Sequence, residues 1–179
     1  LTITGVGAGS ATLTISATDA LNDTIVATAA VTVNAALSAT PDNTAVALNA
    51  GGTATFDLST MFTGGAAPVT YGVVSSDAAV ATGGEASGTL TITAVANGSA
   101  TVTGTGTEAT TATATATFTT TVNSAMAAAG TLADVYVTQG ADSAVDVSAE
   151  FSGGDGTYTY TASAGTADAT VAVSGSTVT

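Results

Sequence analysis

The chain has 179 residues and a formal charge of −13, from 13 Asp and Glu with no Lys, Arg or His; Cys and Trp are also absent. These absences exclude Ser-His-Asp and Cys-His relays, Schiff-base lysines and thiolate chemistry. They equally exclude the usual zinc and haem ligand sets, disulfides and lysine isopeptide crosslinks.

With no cation to neutralise phosphate, nucleic acid and anionic membrane surfaces are excluded as partners. The mean hydropathy of +0.49 comes from Ala and Val alternating with Thr and Ser. No run approaches the roughly 18 apolar residues of a spanning helix, so no membrane insertion is expected. Aromatic residues make up only 4% of the chain, so each core must be thin and aliphatic. Several modules sharing stability fit that better than one large core. No signal peptide is read at the start of the chain, because no charged stretch precedes an apolar run. An acidic chain without trypsin-type cleavage points suits an exposed, long-lived extracellular or cell-surface setting.

Period-two alternation predicts strands in chain order at 1–6, 10–17, 24–33, 54–59, 69–74, 89–95, 99–105, 111–122, 134–139, 144–151, 158–163 and 169–174. Gly, Asn and Ser clusters separate them. The Ala-rich stretch 125–129 reads as a linker and not as a short helix, because Gly130 follows it. The run 111–122 is long, flat and uncharged, an aggregation hazard unless it is paired on both edges.

The chain also repeats itself. Residues 1–36 align with 90–125 without a gap, Leu1 on Leu90, at an offset of 89. LTIT, the Val at 6 and 95, GSAT at 9–12 and 98–101, the acids Asp19 and Glu108, and VN at 33–34 and 122–123 recur in register. ATFDLSTMF from Ala54 matches AVDVSAEF from Ala144, and each precedes a Gly-Gly pair and an aromatic strand. A period near 89 exceeds a solenoid coil and suits a tandem β-sandwich module.

Together, VDVS-x-x-F, SGGDGTYTYTAS, ATVAVSGSTVT and LTITAVANGSATVTGTGTE resemble the bacterial immunoglobulin-like and cadherin-like tandem repeats of large extracellular adhesins and surface fibres. The resemblance spans essentially the whole chain. It implies tandem Greek-key β-sandwich modules, a spacer, adhesive or structural role, and no enzyme. Many such repeats bind calcium in an acid-rich turn after the VDVS-x-x-F strand. Here the turn at 63–68 has no acid, and that at 152–156 has only Asp155. Calcium favours about six to eight oxygens and more than one carboxylate, so Asp155 is a weak candidate and no cofactor is expected.

The phase of the repeat divides the chain into a back half-module at 1–35, a complete module at 36–124 and a front half-module at 125–179. A half sandwich exposes its apolar face and strand edges. The complementary halves therefore predict head-to-tail completion, by neighbouring repeats of one chain or by strand donation between copies.

Asn22-Asp23-Thr24 and Asn97-Gly98-Ser99 fit the N-glycosylation pattern at expected turns. Asp57 and Asp146 hold equivalent positions a module apart, which rules out an acid/base pair and predicts a structural role. The expected function is an extracellular fibre, stalk or filament whose partner is itself. The alternative is an adhesin segment that binds a glycan or partner-cell ligand, and few aromatic side chains support it.

Overall fold

A computed structural model describes residues 1–41 and 43–179. The chain runs β1 (Gly9–Thr18), β2 (Thr24–Val33), β3 (Ser38–Ala39), β4 (Asn43–Asn49), β5 (Thr53–Asp57), α1 (Leu58–Met61), β6 (Phe62–Thr63), β7 (Thr70–Ser75) and β8 (Ala81–Ala86). It continues with β9 (Thr89–Ala94), β10 (Gly98–Thr107), β11 (Thr113–Asn123), β12 (Ala127–Ala128), β13 (Val145–Asp146), β14 (Phe151–Ser152), β15 (Val173–Ser174) and β16 (Thr177–Val178). The fold is nearly all β, and no helix among the described residues is long and apolar enough to cross a membrane.

Strands β4-β11-β10-β7 form one sheet and β5-β9-β8 another. Strand β4 runs parallel to β11, with Val46 opposite Thr120, and the remaining neighbours are antiparallel. Both sheets alternate buried and open positions, as in β10 and β11, so each turns one face inward. Leu90 and Ile92 from one sheet meet Val102, Phe118 and Val122 from the other in a single core. The Phe56 and Phe118 rings lie 4.6 Å apart across it. Strand β11 is paired on both edges, which removes the aggregation hazard of its flat Thr/Ala run.

The short helix α1 is absent from the period-two reading. Asp57 caps it, its carboxylate accepting the Ser59 N–H at 2.9 Å, and Leu58 and Met61 point into the core. Gly64 then turns with φ +78°, and a Cβ there would collide with the Ala36 carbonyl oxygen.

Among the described residues, every buried hydrophobic side chain except Val147 lies between Val46 and Val122. Residues before and after that span form smaller sheets: β1-β2, β12-β14 and β13-β16-β15. Strands expected at 1–6, 134–139 and 158–163 are not formed, and those at 144–151 and 169–174 shrink to two-residue pieces. The reason lies in the pairing. The counterparts of 134–139 and 158–163 are β4 and β7, which lean on β11 and β10, and no hairpin of that kind lies beside the later segments. Residues 1–6 correspond to β9, whose partners β5 and β8 have no equivalent there. The stretch 125–129, read as a linker, contributes β12, which pairs with β14.

Phe118→Ala should destabilise the central unit by about 3–5 kcal/mol, since a fully buried ring leaves a cavity between two sheets. Ile15→Ala should leave the same urea transition, followed by circular dichroism, unchanged. Gly64→Ala should cost about 1–3 kcal/mol through its left-handed backbone and the carbonyl collision.

Candidate functional site

The β1–β2 hairpin closes on Asp19, whose N–H donates to the Asp23 carbonyl (2.9 Å). The Asp19 carboxylate accepts the N–H groups of Leu21 and Asp23 (2.8 and 2.9 Å), and Asn22 takes φ +70°. The β10–β11 turn is built alike, with Glu108 bonded to Ala112 and Thr111 at φ +72°. The ladders agree as well. Gly9 faces Val33 and Thr18 faces Thr24, while Gly98 faces Val122 and Thr107 faces Thr113, an offset of 89 at every position.

The two hairpins differ in what covers them. Val102, Ala116, Phe118 and Val122 of the second are buried under the opposite sheet. Leu13, Ile15, Ile25, Val31 and Val33 share the corresponding face of the first. Ile15 remains 47% exposed and Ile25 76% exposed. This is an apolar sheet face without a cover.

Residues 125–179 supply the converse shape. Here β12 pairs with β14 through Ala128 and Phe151, as β3 pairs with β6 through Ala39 and Phe62. Val145 faces Val178 as Phe56 faces Leu90. The Val147 N–H donates to the Ser176 carbonyl as Leu58 does to Gly88, and Gly154 donates to Ser124 as Gly65 does to Ala35. Phe151 and Tyr160 hold ring centroids 5.8 Å apart, matching Phe62 and Tyr71 at 5.6 Å. Where the central unit seats its β10–β11 hairpin, this segment has an open groove of about 670 Å³ lined by Leu132, Val135, Val145, Val147, Phe151 and Tyr160 among others.

The carboxylates serve backbone geometry. Glu108 accepts the Ala66 N–H (2.6 Å) and the Thr110 hydroxyl, tying the β10–β11 turn to the Gly64-Gly65 loop. Its pKa is lowered, chiefly by the Thr110 hydroxyl and then by the Ala66 N–H. Asp57 is lowered first by the Ser59 hydroxyl, and Asp146 by the Ser148 N–H and the Ser176 hydroxyl. Asp57 and Asp146 thus hold matching turns 89 residues apart.

Asp155 lies in the turn after β14, where its carboxylate accepts the Thr157 N–H at 2.8 Å. Among the described residues no three acids come close enough to share a metal ion. Asn22 is exposed in the β1–β2 turn, and Asn97 is exposed in the bend before β10. The groove itself escaped the sequence reading, though the period-two pattern of 134–139, which includes the groove residue Val135, carried a partial signal.

Because the native carboxylate of Glu108 is held below its ordinary value, its contribution to stability is complete above the ordinary glutamate range, about 4.3. It is lost as pH falls through the lowered native value. Glu108→Gln should therefore melt lower than the parent chain at pH 7, and the two melting curves should converge as pH is brought down past 4. A constant gap across that range would contradict the assignment.

No protein-family model matches the chain, and no curated protein matches it. Among solved structures, it is similar to the crystal structure of domains 4 and 5 of the S-layer protein SbsC, at 21% identity and a TM-score of 0.36. The alignment covers 64% of this chain and 58% of that one, so this chain spans less than two thirds of the matched structure.

Proposed function

We propose that the chain belongs to an extracellular structural repeat protein, a fibre, stalk or surface filament made of immunoglobulin-like modules of about 89 residues joined head to tail. The observation that carries this reading is the repeated register. The β1–β2 ladder restates β10–β11, and the pairings within 125–179 restate those of β3, β5, β6, β8 and β9. In this reading 1–35 closes one module, 36–124 is a whole module and 125–179 opens another.

The strand order β4-β11-β10-β7 over β5-β9-β8 supports the immunoglobulin-like Greek-key assignment. A surface with acids and no basic residue supports an exposed, soluble polymer. Phe151, Tyr158 and Tyr160 cluster inside the open groove, as a core awaiting cover would, which weakens the glycan-binding alternative.

Electron microscopy of the native material tests the reading. Strand β10 has ten residues, about 34 Å at the usual rise. An unbranched thread with an axial repeat of about 35–45 Å is the expected result. Compact particles without axial periodicity would overturn it.

A further inference from the structure

We infer that the open groove of 125–179 is the seat for the β1–β2 hairpin of a second copy of this chain, in a set register. This rests on the repeat reading above and adds the partner segment and its side-chain fit. The register follows from the central unit, where Thr120 faces Val46 and Gly106 faces Tyr71. Shifted by 89, Val31 of the incoming hairpin runs parallel beside Val135, and Ala17 runs antiparallel beside Tyr160. Two of the segments that fail to form strands, 134–139 and 158–163, thereby gain an edge to pair with.

Side-chain size selects this hairpin. Within the central unit the groove wall is large: Phe56, Leu58, Leu90 and Leu48. At the matching positions stand Val145, Val147 and Val178, which line the open groove, and Val137, which is 54% exposed. The hairpins change in the opposite sense. Val102, Gly104 and Ala114 of the seated hairpin correspond to Leu13, Ile15 and Ile25 of the free one. Gly104 is tight against Leu58, since a Cβ there would come within 3.3 Å of the Leu58 side chain. The Gly104–Leu58 contact becomes Ile15 against Val147, a net gain of three side-chain carbons at that pair. Phe118, by contrast, becomes Ala29, so the largest seated ring gives way to a methyl group where Ile15 brings extra bulk. Ala17 adds a methyl group at the place of Gly106, where a Cβ would come within 2.7 Å of the Phe62 ring, so the matching Phe151, 40% exposed, must shift its ring on docking.

Ile15 and Ile25, 47% and 76% exposed, supply most of the apolar area the hairpin would lose, because Leu13, Val31 and Val33 are already partly covered. The two added strand edges contribute the rest of the contact. Both surfaces are acidic, so added salt should favour the contact.

The full chain lacks cysteine, so thiols can be placed at will. Thr105 faces Gly72 in the central unit, which puts Ser16 of one copy opposite Thr161 of the next. A chain carrying both Ser16→Cys and Thr161→Cys, treated with a short bismaleimide, should give a ladder of dimers, trimers and longer species. Each single variant should stop at dimers. In the double-cysteine background, Val147→Leu or Ile15→Ala alone should raise the concentration needed for half-maximal ladder formation about tenfold. Val147→Leu with Ile15→Ala should recover most of the loss, and an unchanged urea transition of the central unit verifies folding.

Absence of a ladder at high salt and high concentration would overturn the docking between copies. A tandem chain, in which Thr177 of one copy is followed by Leu1 of the next, separates the two readings. If the tandem chain gains a second cooperative unfolding transition while single chains form no ladder, the docking fails and the repeat reading stands. If the tandem chain gains nothing, both fail.

Discussion

A β-strand is not stable alone: its backbone needs a neighbour on at least one edge, and its apolar face needs a cover. Much of this structure follows from where that requirement is met. Between Val46 and Val122 every long strand has partners, and two sheets close on Phe118, Leu90, Ile92 and Val102. Outside that span the same kind of sequence lacks the neighbours it would pair with. After it ladders shorten to two residues, and before it the ten-pair β1–β2 ladder lacks a cover; Ile25 and Tyr136 stand open to solvent.

Composition explains why closure matters so much in this chain. With few aromatic residues and no disulfide or salt bridge available, stability rests on small aliphatic side chains and on turn geometry. The turns are accordingly specific. Gly64 and Gly153 both take φ near +80°, where a Cβ would strike the Ala36 or Ala125 carbonyl oxygen. Carboxylates fill the part that basic partners play elsewhere. Asp19, Asp57, Glu108 and Asp146 accept backbone N–H groups at turns, each organising a short piece of chain. The acid residues are thus both the source of surface charge and the pins of the loops.

The two ends of the chain share one geometry. The hairpin at the start carries the register of β10–β11, and the closing segment carries the pairings that surround β10–β11 in the central unit. Size differences run in opposite directions on the two surfaces, with Ile15 for Gly104 on one and Val147 for Leu58 on the other. The exchange is uneven, since Ile15 in place of Gly104 adds four side-chain carbons, Val147 in place of Leu58 removes one, and Ala29 in place of Phe118 removes six.

The amino-acid sequence by itself determined the all-β class, since alternation of Ala and Val with Thr at period two admits little else. It also set the offset of 89, because LTIT, GSAT and VN recur in phase, and it excluded chemistry that needs Cys, His or Lys. The helix α1 was not legible, because a single turn capped by Asp57 has too few residues to show a helical period. Nor was the failure of strands at 134–139 and 158–163, whose own residues alternate as well as those of β4 and β7. Whether an alternating segment becomes a strand depends on a neighbour distant in sequence. Tertiary structure alone decided that, through the presence of β10 and β11 beside one copy of the pattern and their absence beside the other.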